Sequence, residues 1–388
     1  MIPEIVGASK TLALLQKVNK MKADGVDIVS FTAGVPDFPT PEVICEKAFL
    51  AIKEGDTGYV ASQGKLDLRE VIANDYSTRL SSSWVKPENV LVTLGSKQGI
   101  SLLFSTLLNK GDEVICPSPY WVSYPSLVKA CGGVLKVIKA DDASNFFPTV
   151  DQLEEVKTEK TKVLIFSSPN NPSGKMIDQQ HLLDVTNWCI KNKVYFIYDE
   201  IYERLSLTKK HVCVLSLISE QQSEYIISVN ACSKSMAMTG WRLGYVVTHK
   251  LNIKSLAAMQ SQFVTCAPGF VQQAAMVGIQ SADTFLPEIV STFTKRRNYI
   301  LKLLEEIPEV SPVIPEGAFY VLLDVSNILE KKSLVDDKKF AEKLLEEQKL
   351  SVVPGSGFGC PGFVRLAYTV DLPEIKKGIE RLKAFVAS

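Results

Sequence analysis

The chain has 388 residues, 46% hydrophobic and 22% charged, proportions that suit a globular protein with room for two domains and exclude a disordered one. Its 43 basic side chains equal its 43 acidic ones, so no overall charge favours nucleic acid or an anionic membrane, and anions must be recognised locally. No apolar run approaches the roughly 20 residues of a membrane span and no signal pattern opens the chain, which predicts a cytoplasmic protein with no membrane partner.

The eight cysteines, at 45, 116, 131, 189, 213, 232, 266 and 360, form no Cys-x-x-Cys pair. With only three histidines, two of them in polar surroundings at 181 and 211, zinc sites, redox dithiols and His-centred triads lack material, and no metal is expected.

Residues 1–12 read as an arm, and Leu12, Leu15 and Val18 begin an amphipathic helix. A short strand over 27–31 leads into the turn-rich loop Thr32-Ala33-Gly34-Val35-Pro36-Asp37-Phe38. Helices follow over 41–53 and 65–80; between them Thr57-Gly58-Tyr59 is a loop whose tyrosine, taken alone, reads as half-buried packing.

From residue 90, strand-length apolar runs alternate with helical patterns: 90–94, 113–116, 134–138, 163–166, 194–198, 225–229 and 243–247. Near-continuous apolar runs separated by helices are what a mainly parallel sheet covered on both faces requires, so the fold class is α/β. Such sheets bind ligands past the carboxyl ends of their strands, and distinctive residues stand there. Gly95-Ser96-Lys97-Gln98 opens a helix whose free NH groups suit a phosphate or a simple cap. Trp121 follows the second run, placed to stack on a flat ring or to pack. Asn170-Asn171-Pro172-Ser173-Gly174 follows the fourth, and Asp199-Glu200-Ile201-Tyr202 ends the fifth, where a buried carboxylate needs a partner.

After the sixth run comes Ala231-Cys232-Ser233-Lys234-Ser235-Met236-Ala237-Met238-Thr239-Gly240-Trp241-Arg242-Leu243-Gly244. Partial burial and a nearby arginine lower a lysine's pKa and make it a nucleophile toward carbonyls, the chemistry of a pyridoxal phosphate Schiff base. A helix over 284–306 then leads to a strand over 318–325, a helix over 337–349, strands over 351–353 and 363–368, and a final helix over 372–387. Residues 13–44 with 285–388 form a smaller α+β domain, and 45–284 the large one. Arg365, inside an apolar strand, needs an anion, for which a structural salt bridge is the simplest explanation.

The string around Lys234, with Ala231 and Met236 as departures, resembles the cofactor-lysine signature of class I pyridoxal phosphate aminotransferases, and the other pieces occur in that family's order. The resemblance implies a fold type I enzyme with pyridoxal 5'-phosphate on Lys234, and a homodimer with shared active sites. It implies that Gly95, Ser96, Lys97, Ser233, Arg242 and the other subunit's Tyr59 surround the phosphate, with Trp121 over the ring. Asp199 would face the ring nitrogen, and Asn171 and Tyr202 the phenolic oxygen. Gly34, Trp121, Asn171 and Arg365 would face the substrate. Lys234 would shuttle the proton in a ping-pong exchange between an amino acid and a 2-oxo acid.

Ser9, Thr11 and Lys97 resemble positions that the bacterial-type aspartate aminotransferase subgroup uses for a distal carboxylate, which makes aspartate and 2-oxoglutarate the expected pair. A solvated first-turn lysine explains Lys97 equally well. Aminotransferases for aromatic amino acids, alanine, kynurenine or prephenate, and C–S β-lyases, share the scaffold. A non-catalytic sensor is disfavoured by the complete set Lys234, Asp199, Asn171, Arg242 and Arg365.

Overall fold

The computed structural model describes Gly7, residues 10–141 and residues 145–388, with the backbone alone for 10–13 and 15. A two-residue strand, β1 (Val29–Ser30), precedes the strands of the main sheet: β2 (Val90–Thr93), β3 (Glu113–Ser118), β4 (Val134–Lys139), β5 (Thr161–Ser167), β6 (Tyr195–Asp199), β7 (Ile226–Ala231) and β8 (Gly244–Val247). Their order is β2-β8-β7-β6-β5-β3-β4. All neighbours are parallel except β8, which runs antiparallel to both β2 and β7.

The apolar runs are continuous because both faces are buried. In β5, Val163 and Ile165 belong to one core while Leu164 and Phe166 belong to the core on the opposite face. The two edges differ. At β4, Lys136 and Lys139 break the run and much of the strand is exposed, which discourages further pairing. At β2 every residue is buried, and the edge is closed by side groups: the Val92 amide donates to Gln63 O at 2.9 Å, and Gln260 Nε2 donates to Val92 O at 2.8 Å.

A third core gathers Val29, Phe31 and residues from Ile289 to Val386, with Tyr202 and Leu205 contributed from the main sheet's loops. It is built on the antiparallel strands β9 (Ser311–Val313), β10 (Tyr320–Asp324), β12 (Val353–Pro354) and β13 (Phe363–Ala367), while β1 pairs in parallel with β11 (Leu350–Ser351). The strand expected over 351–353 is thus two short ones. The helix Ala282–Leu304 joins the two parts and starts two residues earlier than the sequence suggested. The last helix, Leu372–Ala387, has its expected bounds, fixed by Asp371, whose side chain accepts from the Glu374 amide.

Among the described residues no helix is long and apolar enough to cross a membrane. His211 is buried, with Nε2 2.8 Å from Glu200 Oε1.

Candidate active site

Residues from both parts of the chain meet in one cleft at the carboxyl ends of β3, β5 and β6. Gly34, Ser96, Lys97, Trp121, Asn171, Asp199, Tyr202, Lys234 and Arg365 all line it, together with Tyr320, Ser167 and Ile201. Lys234 lies on the four-residue helix Cys232–Ser235, which continues directly from β7, so the strand end aims the lysine into the cleft. Its Nζ donates to Gly34 O at 2.6 Å. Burial, and then the charges of Arg365 and Arg242, lower its pKa from 10.5 to about 8, so that its proton is lost far more readily than that of an ordinary lysine.

Asp199 ends β6 with a carboxylate that forms no ion pair with a lysine or arginine among the described residues. Its Oδ2 accepts from the Tyr124 hydroxyl at 2.8 Å and its Oδ1 from the Ile201 amide at 3.2 Å. Burial outweighs these bonds and pushes its pKa up to about 6. The position calls for a cationic or strongly donating ring nitrogen.

Arg365 is 4% exposed and has no carboxylate partner among the described residues, so the structural salt bridge that would ordinarily explain it is not found there. Nη1 donates to Asn171 Oδ1 at 3.0 Å and Nη2 to Thr32 O at 2.9 Å, while Nε has no partner. A buried guanidinium with a free donor is a receptor for an anion, and its planar fork matches a carboxylate.

A second anion position lies at the helix Ser96–Leu107. Gly95 precedes it with φ of +79°, and a Cβ there would lie 2.6 Å from Arg242 Nη2, so glycine lets the arginine reach the helix start. Arg242 donates only to backbone oxygens, Thr239 O at 2.8 Å and Leu94 O at 3.2 Å, which leaves its charge uncompensated beside the free amides. Lys97 Nζ stands 5.0 Å from the Trp121 ring centroid, its pKa lowered by burial and by Arg242. Ser233 is buried behind Lys234.

These features fit pyridoxal phosphate: a phosphate position at Ser96 and Arg242, a carboxylate for the ring nitrogen, a poised lysine, and Trp121 beside them. Of the other expected residues, Gly95, Ser233 and Arg242 adjoin cleft residues without lining the cleft themselves. Tyr59 is 89% exposed and away from it. Ser9 and the side chain of Thr11, on the helix Lys10–Ala23, lie outside the described residues. Sequence reading missed Tyr124 and Tyr320. Tyr124 stands three residues after Trp121 in a segment where only the tryptophan suggests a role, and Tyr320 reads as one more apolar residue of its strand.

A family model described as aminotransferase class I and II matches residues 26–382. The chain is 37% identical to a probable aspartate/prephenate aminotransferase of Aquifex aeolicus, over 97% of this chain and 95% of that protein. It is also 37% identical to an aspartate aminotransferase of Bacillus subtilis, over 97% and 96%. Among solved structures, an aspartate aminotransferase of Thermus thermophilus with maleate superposes with a TM-score of 0.93 at 35% identity, covering 100% of this chain and 99% of that one. The chain therefore belongs to the class I and II aminotransferase family.

Proposed function

We propose that the protein moves an amino group from L-aspartate to 2-oxoglutarate, with pyridoxal phosphate as cofactor, in a homodimer. The observation that carries this is the unpaired, buried Arg365 in the same cleft as Lys234 and Asp199: a carboxylate receptor beside a proton carrier. The relatives named aspartate aminotransferase support the choice of amino acid.

In this reading Arg242 and Ser96 hold the phosphate, Trp121 the ring face, Asp199 the ring nitrogen, and Asn171 with Tyr202 the phenolic oxygen. When bound, the cofactor supplies an electron-withdrawing ring that stabilises negative charge at the substrate α-carbon. Arg365 forks onto the substrate α-carboxylate and fixes the α-hydrogen's direction. Lys234 Nζ, deprotonated far more readily than an ordinary lysine, accepts the α-proton and returns it, the shuttle that transamination needs. Lys97, its Nζ 5.0 Å from the Trp121 ring centroid, meets the distal carboxylate of aspartate, with Ser9 and Thr11 assigned to the same group.

The homodimer is supported by apolar exposure around Tyr59: Phe49, Ile52 and Leu66 are 60%, 46% and 55% exposed on neighbouring helices. We divide each subunit into a small domain of 13–44 and 285–388 and a large one of 45–284, with the cleft between them. A cytoplasmic location completes the reading.

The test is one half-reaction. Protein loaded with pyridoxal phosphate is mixed with L-aspartate and no oxo acid, and the visible band should disappear as one equivalent of oxaloacetate forms. Response to phenylalanine, alanine or kynurenine but not aspartate would keep the aminotransferase and reject the substrate. Pyruvate and ammonia from a cysteine conjugate would indicate a β-lyase, and no visible band would remove Lys234 from its role.

A further inference from the structure

Tyr320, the first residue of β10, is a side chain to which neither the motifs nor the family reading above gives a role. It is 1% exposed yet borders the cleft, and it touches three groups assigned above to different tasks. Its hydroxyl is 2.8 Å from the Tyr202 hydroxyl, with the two rings edge-on at 5.7 Å. Arg365 Cζ lies 4.4 Å from its ring centroid and 5.1 Å from that of Phe358, so the guanidinium rests against aromatic faces instead of a carboxylate. A Cβ on Gly34 would lie 2.5 Å from the Tyr320 hydroxyl oxygen, so this hydroxyl fills the space that glycine leaves beside the carbonyl accepting from Lys234.

We propose that Tyr320 is a positioning residue: its hydroxyl donates to Tyr202 and orients it, and its ring holds Arg365 in place. One side chain thereby couples the group facing the cofactor's phenolic oxygen to the clamp for the substrate carboxylate. The inference rests on the reading of Tyr202 and Arg365 given above.

In the arrangement proposed Tyr320 is the donor of the 2.8 Å bond, which leaves the proton of Tyr202 for the oxygen it faces in the cleft. Burial raises both phenols, Tyr202 the further, in keeping with Tyr202 as the acceptor. A hydroxyl that accepts one hydrogen bond donates the next more strongly. Tyr202 therefore stabilises negative charge on an oxygen it faces better with Tyr320 than without it.

Two substitutions separate hydroxyl from ring. In Tyr320→Phe the ring remains, so the pH midpoint at which the loaded enzyme's visible band titrates should rise by several tenths of a unit. The dissociation constant of succinate, a dicarboxylate without an amino group, should stay within about twofold. Tyr320→Leu should show the same midpoint rise and a further, roughly tenfold, loss of succinate affinity. In a Tyr202→Phe background, Tyr320→Phe should no longer move the midpoint, because the residue through which it acts is gone. An unchanged midpoint in Tyr320→Phe, or an equal shift in the Tyr202→Phe background, overturns the hydroxyl role; unchanged succinate affinity in Tyr320→Leu overturns the ring role. Wild-type protein that fails the aspartate half-reaction would fault the functional reading instead, and is measured first.

Discussion

Two groups of buried charge lie on either side of the main sheet's carboxyl edge, and they are built on opposite rules. In the cluster of Asp75, Arg79, Glu203 and Arg204, each charge has two opposite partners. Arg79 reaches Asp75 and Glu203 at 2.7 Å each, and Arg204 reaches them at 2.9 and 3.3 Å. Burial alone would raise Asp75, yet the two guanidiniums hold it below the usual carboxylate range. In the cleft, Lys234 and Arg365 donate to neutral oxygens, as does the exposed Arg242 beside it, and Asp199 accepts from a phenol and an amide. Burial of charge is common to both regions; pairing is what separates them. A closed ionic cluster stabilises the fold, whereas an open one carries a standing cost that a ligand removes.

The largest expected effect tests the open group at its centre. Lys234→Ala should slow the aspartate half-reaction about 10⁴-fold or more, since it removes both nucleophile and proton carrier. Without cofactor its melting temperature at neutral pH should equal or exceed that of wild type. A lysine with a depressed pKa destabilises the fold below that pKa, near 8, and the penalty fades as pH rises toward 10.5. A clear fall in melting temperature would mean that Lys234 is structural, and would erase the contrast.

Next in size is a paired experiment on two arginines. Arg365→Lys should lower kcat/KM for aspartate about 10²-fold, because lysine cannot fork onto a carboxylate, with little change in stability. Arg79→Ala should do the reverse, costing about 1–2 kcal/mol in urea denaturation because two carboxylates are left to share Arg204, while KM stays near wild type.

The fold was legible where burial is local in sequence. The runs from residue 90 to 247 gave the sheet because strands buried on both faces have no polar alternation, and Asp371 fixed the last helix. The cleft was legible only through the resemblance, since spacing does not reveal that Arg365 meets Asn171 across 194 positions of chain. The same limit hid Tyr124, whose hydroxyl partner is 75 positions away, and Tyr320, whose strand reads as plain core.

A third experiment uses the acidic member of the open group. Asp199→Asn should stabilise the cofactor-free protein by an amount of the order of 2–3 kcal/mol above pH 6. The sign follows from the raised pKa: the folded state binds the proton more readily than the unfolded one, so the carboxylate is a penalty above about 6 that disappears as pH falls toward 3.8. Urea titrations of both proteins at pH 4.5 and 7.5 check this. A gap that is the same at both pH values would show that Asp199 carries no electrostatic cost.

The smallest effect decides the substrate. Lys97 differs from Arg365 in being only partly buried, with its charge over Trp121 and near Arg242, so water screens whatever it binds. Lys97→Ala should therefore raise KM for aspartate only about tenfold, the worth of one screened charge-assisted contact. KM for phenylalanine, which has no distal carboxylate, should not change. The comparison is informative because Lys97 also stands beside the proposed phosphate position. If it serves the phosphate, both amino acids suffer alike and cofactor retention on dialysis falls. If it meets the distal carboxylate, aspartate alone suffers and retention holds. The first result would move Lys97 to the cofactor and leave aspartate specificity to Ser9, Thr11 or groups elsewhere in the cleft; the second would make a half-open charge the element that distinguishes one amino acid from another.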